Sequence, residues 1–170
     1  MSRTRAELRV GFEYLSVGCA SNHDRVIGMH FVNQVDIGRP IATVFAYVAD
    51  FENVPAWNYA IDQTHKMSEG PVGVGTTYRQ LRTLPAPSEE EFEATAFAPP
   101  GHVAINGVIG PFDAEMKYNL EPHENGTRLV NQVILRGRGL AGAVGQLGGS
   151  RIKSAVATNL KELKRILEAT

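Results

Sequence analysis

The stretch from Phe112 to Leu120 alternates without a break, with Phe112, Ala114, Met116, Tyr118 and Leu120 on one face and Asp113, Glu115, Lys117 and Asn119 on the other. This is the period of a strand with one dry and one wet face. An apolar sheet face needs a cover, and the far end of the chain offers one. Ile152, Val156, Leu160, Leu163 and Leu167 follow i, i+4, i+8, i+11, i+15, the spacing of an apolar helix stripe. Lys153, Lys161, Glu162, Lys164 and Arg165 are expected on the remaining, wet surface of that helix. Leu140, Val144 and Leu147 extend the stripe upstream through Gly/Ala-rich turns. The two features together call for a sheet covered on one face by a long C-terminal helix.

The segments between fit this frame. His30 to Ile37 alternates as a strand, with Phe31, Asn33, Val35 and Ile37 on one face. Gly38-Arg39-Pro40 is a turn, with Pro40 suited to a first helical position. Ile41, Val44, Phe45 and Val48 form a helix stripe, which Asp50 ends while capping a second short helix over Phe51 to Ile61. Strands are expected over Asp62 to Glu69, Thr76 to Leu84, Glu89 to Phe97, His102 to Ile109 and Arg128 to Leu135, separated by Gly- and Pro-rich turns. Asn125-Gly126 favours a tight hairpin before the last of them. The predicted fold is α+β: a curved antiparallel sheet of about seven strands around a long C-terminal helix, with two short helices after strand 1.

Composition sets outer limits. A net charge of −1 gives no electrostatic case for nucleic acid. No apolar run reaches the roughly 18 residues of an integral membrane span. The single Cys19 excludes an internal disulfide framework and suits a reducing, cytoplasmic setting. Residues 1–28 read as a poorly ordered tail, or as an over-long start ahead of Met29. Arg3 and Arg5 precede a weakly apolar stretch from Val10 to Ala20, but Glu13 interrupts it where a signal peptide needs an unbroken apolar centre. Leu15 stands one place too far from Cys19 for a lipoprotein cleavage site.

Four stretches carry a family resemblance. Pro40 to Asp50 and Phe51 to Trp57 resemble the first and second helices of the START-like (SRPBCC) superfamily, in its polyketide cyclase/dehydrase-like branch with the helix-grip fold. Gly73-Val74-Gly75-Thr76 resembles that family's turn into the third strand, and Asn159 to Lys164 the end of its long helix. Together they cover residues 30–170 and make 29–170 one START-like ligand-binding domain. The resemblance implies a cavity between the concave sheet face and the long helix, lined mostly by apolar side chains. It implies no single activity, because the superfamily includes lipid and quinone carriers, receptors and cyclases.

Gly137-Arg138-Gly139-Leu140-Ala141-Gly142 matches G-x-G-x-x-G, but a dinucleotide site needs a following parallel strand, and here the helix runs to the end. Those glycines fit a close crossing of helix and sheet, or a mobile gate, and no cofactor is expected. His23, His30, His65, His102 and His123 show no metal-ligand spacing, so no metal is expected. No serine or cysteine sits in a nucleophile motif. Glu89, Glu90, Glu91 and Glu93 read as a solvated strand edge. Strand phase points Tyr78, Met116, Tyr118, Asn131 and Val133 inward, and Trp57 closes one end. Asn131 draws interest because a buried amide can orient a ligand oxygen; its plainer account is a structural hydrogen bond.

The leading expectation is binding, transport or sequestration of a small apolar or aromatic molecule by Trp57, Tyr78, Met116, Tyr118, Asn131 and Val133. The alternative is a cyclase/dehydratase-type enzyme acting on an aromatic precursor, through Tyr78, Asn131 or His102 converging in one cavity. An interaction module would need a basic or apolar exterior patch, which the near-neutral charge does not favour.

Overall fold

A computed structural model describes residues 27–109, 112–137 and 140–169, with the helical stretch 140–148 described by its backbone alone. The expectations for residues 1–26, for the centre of the G-x-G-x-x-G stretch and for the side chains of Leu140, Val144 and Leu147 therefore fall outside what it describes. The chain runs β1 (Ile27–Ile37), α1 (Ile41–Ala49), a 3-10 turn (Phe51–Asn53), α2 (Val54–Trp57), β2 (Ile61–Lys66), β3 (Thr77–Arg82), β4 (Ser88–Ala98), β5 (His102–Ile109), β6 (Phe112–His123), β7 (Gly126–Gly137) and α3 (Leu140–Ala169). The described strands form a seven-stranded antiparallel sheet in the order β1-β7-β6-β5-β4-β3-β2. Strands β2 to β7 follow one another as neighbours, and β1 returns to pair with β7. This open curved sheet with its C-terminal helix is the α+β helix-grip arrangement the pattern predicted.

Local chemistry explains the element ends. Pro40 is the N-cap of α1, one place before the first helical residue, and its carbonyl accepts from Val44 N at 3.1 Å. Asp50 ends α1, and its Oδ1 accepts from Glu52 N at 3.2 Å to cap the next turn. The second helix is shorter than expected: a 3-10 turn and four α-helical residues, with Pro55 near its start and Asn58 already extended. The β6–β7 hairpin turns one residue earlier than the Asn-Gly pair suggested. His123 pairs with Gly126, which leaves Glu124 and Asn125 as the loop, with the left-handed backbone on Glu124 (φ 48°). Gly126 is needed for another reason: a Cβ there would run into the Ile37 carbonyl.

Three rows of side chains cross the inner face in register. Phe31, Val133, Met116 and Ile105 form one row, and Asn33, Asn131, Tyr118 and Val103 the next. Val35, Leu129 and Leu120 form the third. On α3 the buried residues are Lys153, Asn159, Leu160, Leu163 and Leu167. Lys153 thus departs from the expected wet surface. It lies three residues before Val156 and seven before Leu160, so helical geometry puts it on the stripe whatever its charge. Glu90 departs in the same way. The phase of β4 places it inward with Phe92 and Ala94 while Glu89, Glu91 and Glu93 stay exposed, and β4 lies between β3 and β5 rather than at an edge. Glu90 accepts from Gln80 Nε2 and Arg82 Nε, both at 2.7 Å.

Polar ties fasten the end of α3 to the β1–α1 turn. Arg39 Nε donates to Leu167 O at 2.8 Å, Gly38 N to Glu168 Oε1 at 2.7 Å, and Lys164 Nζ to Asp36 O at 2.6 Å. Upstream, Gly149 lies on Met29: a Cβ there would come within 2.9 Å of its Sδ. Helix and sheet cross closely at this glycine, outside the G-x-G-x-x-G stretch. No helix of the described residues is long and apolar enough to cross a membrane.

Candidate functional site

The two inner-face neighbourhoods differ in how well they are sealed. Towards the β6–β7 hairpin, Leu129, Leu163, Val44 and Leu160 are at most 2% exposed, which leaves no water-sized space beside them. Towards the other end, Phe31, Val133, Leu135 and Ala114 are buried, but the apolar residues packed on them are only partly so: Met29, Ile109, Phe112, Met116, Ile152 and Val156. The sheet residues among these sit on the concave side in phase with the buried ones. Among the described residues the inner face is therefore tight at one end and loose at the other.

A polar row marks the boundary. Asn33 and Asn131 face each other across β1 and β7, and Tyr118 faces Asn131 across β7 and β6. All three are buried, with Asn131 at 1% exposure. Asn33 Nδ2 reaches Lys153 O at 3.5 Å, so α3 crosses above this row at the turn carrying Lys153. Asn131 Nδ2 donates to Lys117 O at 3.4 Å, a long bond, and Asn131 Oδ1 has no hydrogen-bond partner. Native interiors rarely leave such atoms unpaired. The Tyr118 hydroxyl points to Met116 Sδ at 3.9 Å, a weak contact. Burial pushes the Tyr118 phenol well above its ordinary range, so it stays protonated and able to donate.

The expected ligand contacts separate into three groups. Met116, Tyr118, Asn131 and Val133 form a two-by-two block on β6 and β7, because Met116 pairs with Val133 and Tyr118 with Asn131. Tyr78 lies apart on β3, stacked on Phe92 at 5.1 Å and edge-on to Phe51 at 5.3 Å; Phe51 in turn lies 6.4 Å from Tyr118. Burial, then the charges of Asp50 and Glu52, push the Tyr78 phenol up to about 12, and its hydroxyl is unpartnered. Trp57 is buried in the tight core with its Nε1 unpartnered. The adjacent Asn58 holds α2 to α3 through Asn159 Nδ2 at 2.9 Å. His102 does not join the others. It precedes the inward Val103, so it faces the outer side of the sheet, where its Nδ1 lies 2.7 Å from Asn119 Oδ1. Tyr78, Asn131 and His102 thus do not converge.

Asn33 and Lys153 belong to the site and were not among the expected contacts. Asn33 was legible as a polar residue in an apolar strand face, and Lys153 from its spacing. Two shallow recesses also occur, of about 490 Å³ against Tyr59, Arg151 and Thr158 and about 370 Å³ against Met67, Tyr78 and Phe92. Neither reaches the Asn131 block. The cavity implied by the resemblance is filled by side chains at the tight end. No group of three or more His, Cys, Asp or Glu that could hold a metal ion occurs among the described residues.

Comparison with known proteins agrees with this geometry. The chain superposes on a Thermus thermophilus protein with a TM-score of 0.68, at 16% identity over 82% of this chain and 97% of that one. It superposes on the Zhui aromatase/cyclase of a Streptomyces species with a TM-score of 0.68, at 12% identity over 83% and 94% of the two chains. Against the di-domain ARO/CYC StfQ from the steffimycin biosynthetic pathway the TM-score is 0.71, at 10% identity over 84% of this chain and 51% of that one. At such identities these likenesses show the fold alone. No curated protein matches in sequence. One family model matches residues 29–168, from the third residue of β1 almost to the end of α3. A match over that span, on a chain with this sheet order and this helix, shows that the protein belongs to the polyketide cyclase/dehydrase and lipid transport family.

Proposed function

We propose that residues 29–170 bind a small hydrophobic or aromatic molecule at the loose end of the grip, for transport or sequestration. The observation that carries this reading is the half-covered apolar patch on the concave side: Met29, Ile109, Phe112 and Met116 from the sheet, with Ile152 and Val156 from α3. Among the described residues the packed core stops short there, and a bound apolar body would complete it. Met116 suits the purpose because its flexible thioether adapts to different shapes. The polar row of Asn33, Asn131 and Tyr118 would then meet the ligand's polar end. Family membership and the aromatase/cyclase neighbours support a hydrophobic ligand in this fold.

Native mass spectrometry of the protein purified from its own host tests the reading, alongside a displacement assay with an apolar fluorescent dye. A co-purifying adduct is expected, with dye uptake that Met116→Trp abolishes by filling the patch. No adduct, and no uptake across a broad lipid and quinone screen, would overturn it. The second reading is a cyclase/dehydratase-type enzyme, which the aromatase/cyclase neighbours favour; a site shared by Tyr78, Asn131 and His102 is not formed, because His102 faces the other side of the sheet.

A further inference from the structure

We infer that the molecule held at the loose end carries an uncharged hydroxyl group, which donates to Asn131 Oδ1 and accepts from the Tyr118 hydroxyl. The inference rests on the ligand-binding reading above and names the polar group that reading leaves open.

Asn131 supplies the first half. It is 1% exposed, and its Oδ1 has no donor among the described residues. Exchanging the amide's oxygen and nitrogen gives no relief. The nitrogen donates to Lys117 O, and the exchange would set two oxygens together there. Such an acceptor takes a donor from outside the protein chain. Tyr118 supplies the second half. It is the cross-strand partner of Asn131, and the acceptor its hydroxyl meets is Met116 Sδ at 3.9 Å. Burial keeps that phenol protonated, so it can donate to a better acceptor than a thioether.

Register puts both groups beside the loose patch. The next inward pair along β6 and β7 is Met116 and Val133, and both belong to the half-covered cluster. The Tyr118 hydroxyl leans towards Met116, hence towards that patch. An apolar body lying on Met116 and Val133 therefore brings its end to one acceptor without a donor and one weakly used donor. An ether, ketone or ester oxygen accepts from Tyr118 but leaves Oδ1 unpaired. A carboxylate does the same and adds a charge opposite an acceptor. An N–H group serves Oδ1 and leaves Tyr118 on its thioether. A hydroxyl oxygen answers both through a single atom.

The test uses 1-decanol and its isomer nonyl methyl ether, of which only the alcohol donates. Displacement of the apolar fluorescent dye from the full chain gives the affinity of each, once the dye's own affinity is measured for each variant. The alcohol-over-ether ratio is the hydroxyl preference. It should be about tenfold larger in the unaltered protein than in Asn131→Val, a comparison that cancels the different hydration of the two probes. Tyr118→Phe should weaken both probes alike, by about threefold or more, and keep the hydroxyl preference within about twofold. A preference that is equal in the unaltered protein and in Asn131→Val would overturn the inference, because Oδ1 would then be satisfied without the ligand, as by a bound water; the ligand-binding reading would stand. Dye uptake that neither probe displaces would also overturn it and leave that reading intact. Unchanged binding of both probes in Tyr118→Phe would overturn the assignment of Tyr118. Failure of the dye and both probes to bind would overturn both readings.

Discussion

Replacing Asn131 by valine should make the unliganded protein more stable, which is the opposite of what most core substitutions do. Asn131 is 1% exposed, and its Oδ1 has no donor. A buried polar atom left unpaired costs about 1–3 kcal/mol. The side chain returns one hydrogen bond, to Lys117 O at 3.4 Å. At that length it is worth about 0.5 kcal/mol, the low end for a neutral bond. Valine removes both groups, suits a strand, and continues the inner-face residues Leu129 and Val133 on either side. The Lys117 carbonyl loses one side-chain donor, a smaller loss because carbonyls tolerate a vacant lone pair. The balance favours the variant by about 1 kcal/mol. With a urea m-value of about 2 kcal/mol/M, the unfolding midpoint should rise by about 0.5 M. Urea denaturation followed by Trp57 fluorescence and far-UV circular dichroism measures this. A midpoint lowered by 0.5 M or more (about 1 kcal/mol) at unchanged m would refute the reasoning, because it would mean that Asn131 is fully bonded and structural. Stability gained together with the loss of hydroxyl preference would identify Asn131 as a residue held for binding at the expense of the fold.

The tyrosines and the helix give two further tests. The Tyr78 phenol is raised to about 12 and Tyr118 is raised as well, both mainly by burial. Phenols that keep their protons longer when folded stabilise the fold below about pH 10, and that contribution is lost as the pH climbs towards 12. The urea midpoint should therefore fall from pH 10 upward, and fall less steeply in Tyr78→Phe; a flat profile would count against buried phenols. Leu163 is fully buried under the tight end. Leu163→Ala should cost about 2–5 kcal/mol in the same assay, and a loss below 1 kcal/mol would mean that this end is looser than described.

What the sequence disclosed follows from which physical signals are periodic. The bounds of β5, from His102 to Ile109, were readable because Pro99-Pro100-Gly101 and Gly110-Pro111 bracket an apolar run. The inward phase of Met116, Tyr118, Asn131 and Val133 was readable because alternation fixes faces once one strand is anchored. Position outranks residue chemistry where the two disagree. The charge of Lys153 and Glu90 favours water, but their spacing puts both on dry faces. The hairpin loop was centred on Asn125-Gly126 by propensity, whereas the actual loop is Glu124-Asn125, and Gly126 answers to its contact with Ile37. His102 opens β5, and as the neighbour of the inward Val103 it takes the opposite face. The difference between a tight and a loose end was not legible at all. It depends on how far α3 stands from each part of the sheet, and no local pattern encodes that distance.

The placing of polar and apolar contacts along α3 bears on which end can yield to a ligand. At residues 164–168 the helix is held by directional bonds: Lys164 to Asp36 O, Arg39 to Leu167 O, and Gly38 to Glu168. Exchanging any of these for an apolar ligand would strand a charge or a backbone group, at about 1–3 kcal/mol each. Ile152 and Val156 pack on an apolar cluster of Phe31, Ala114, Val133 and Leu135. Such contacts have no direction, so another apolar body can replace them with little net loss. The same helix is thus fixed where its bonds are specific and exchangeable where they are not. The polar row of Asn33, Asn131 and Tyr118 falls where the one regime gives way to the other.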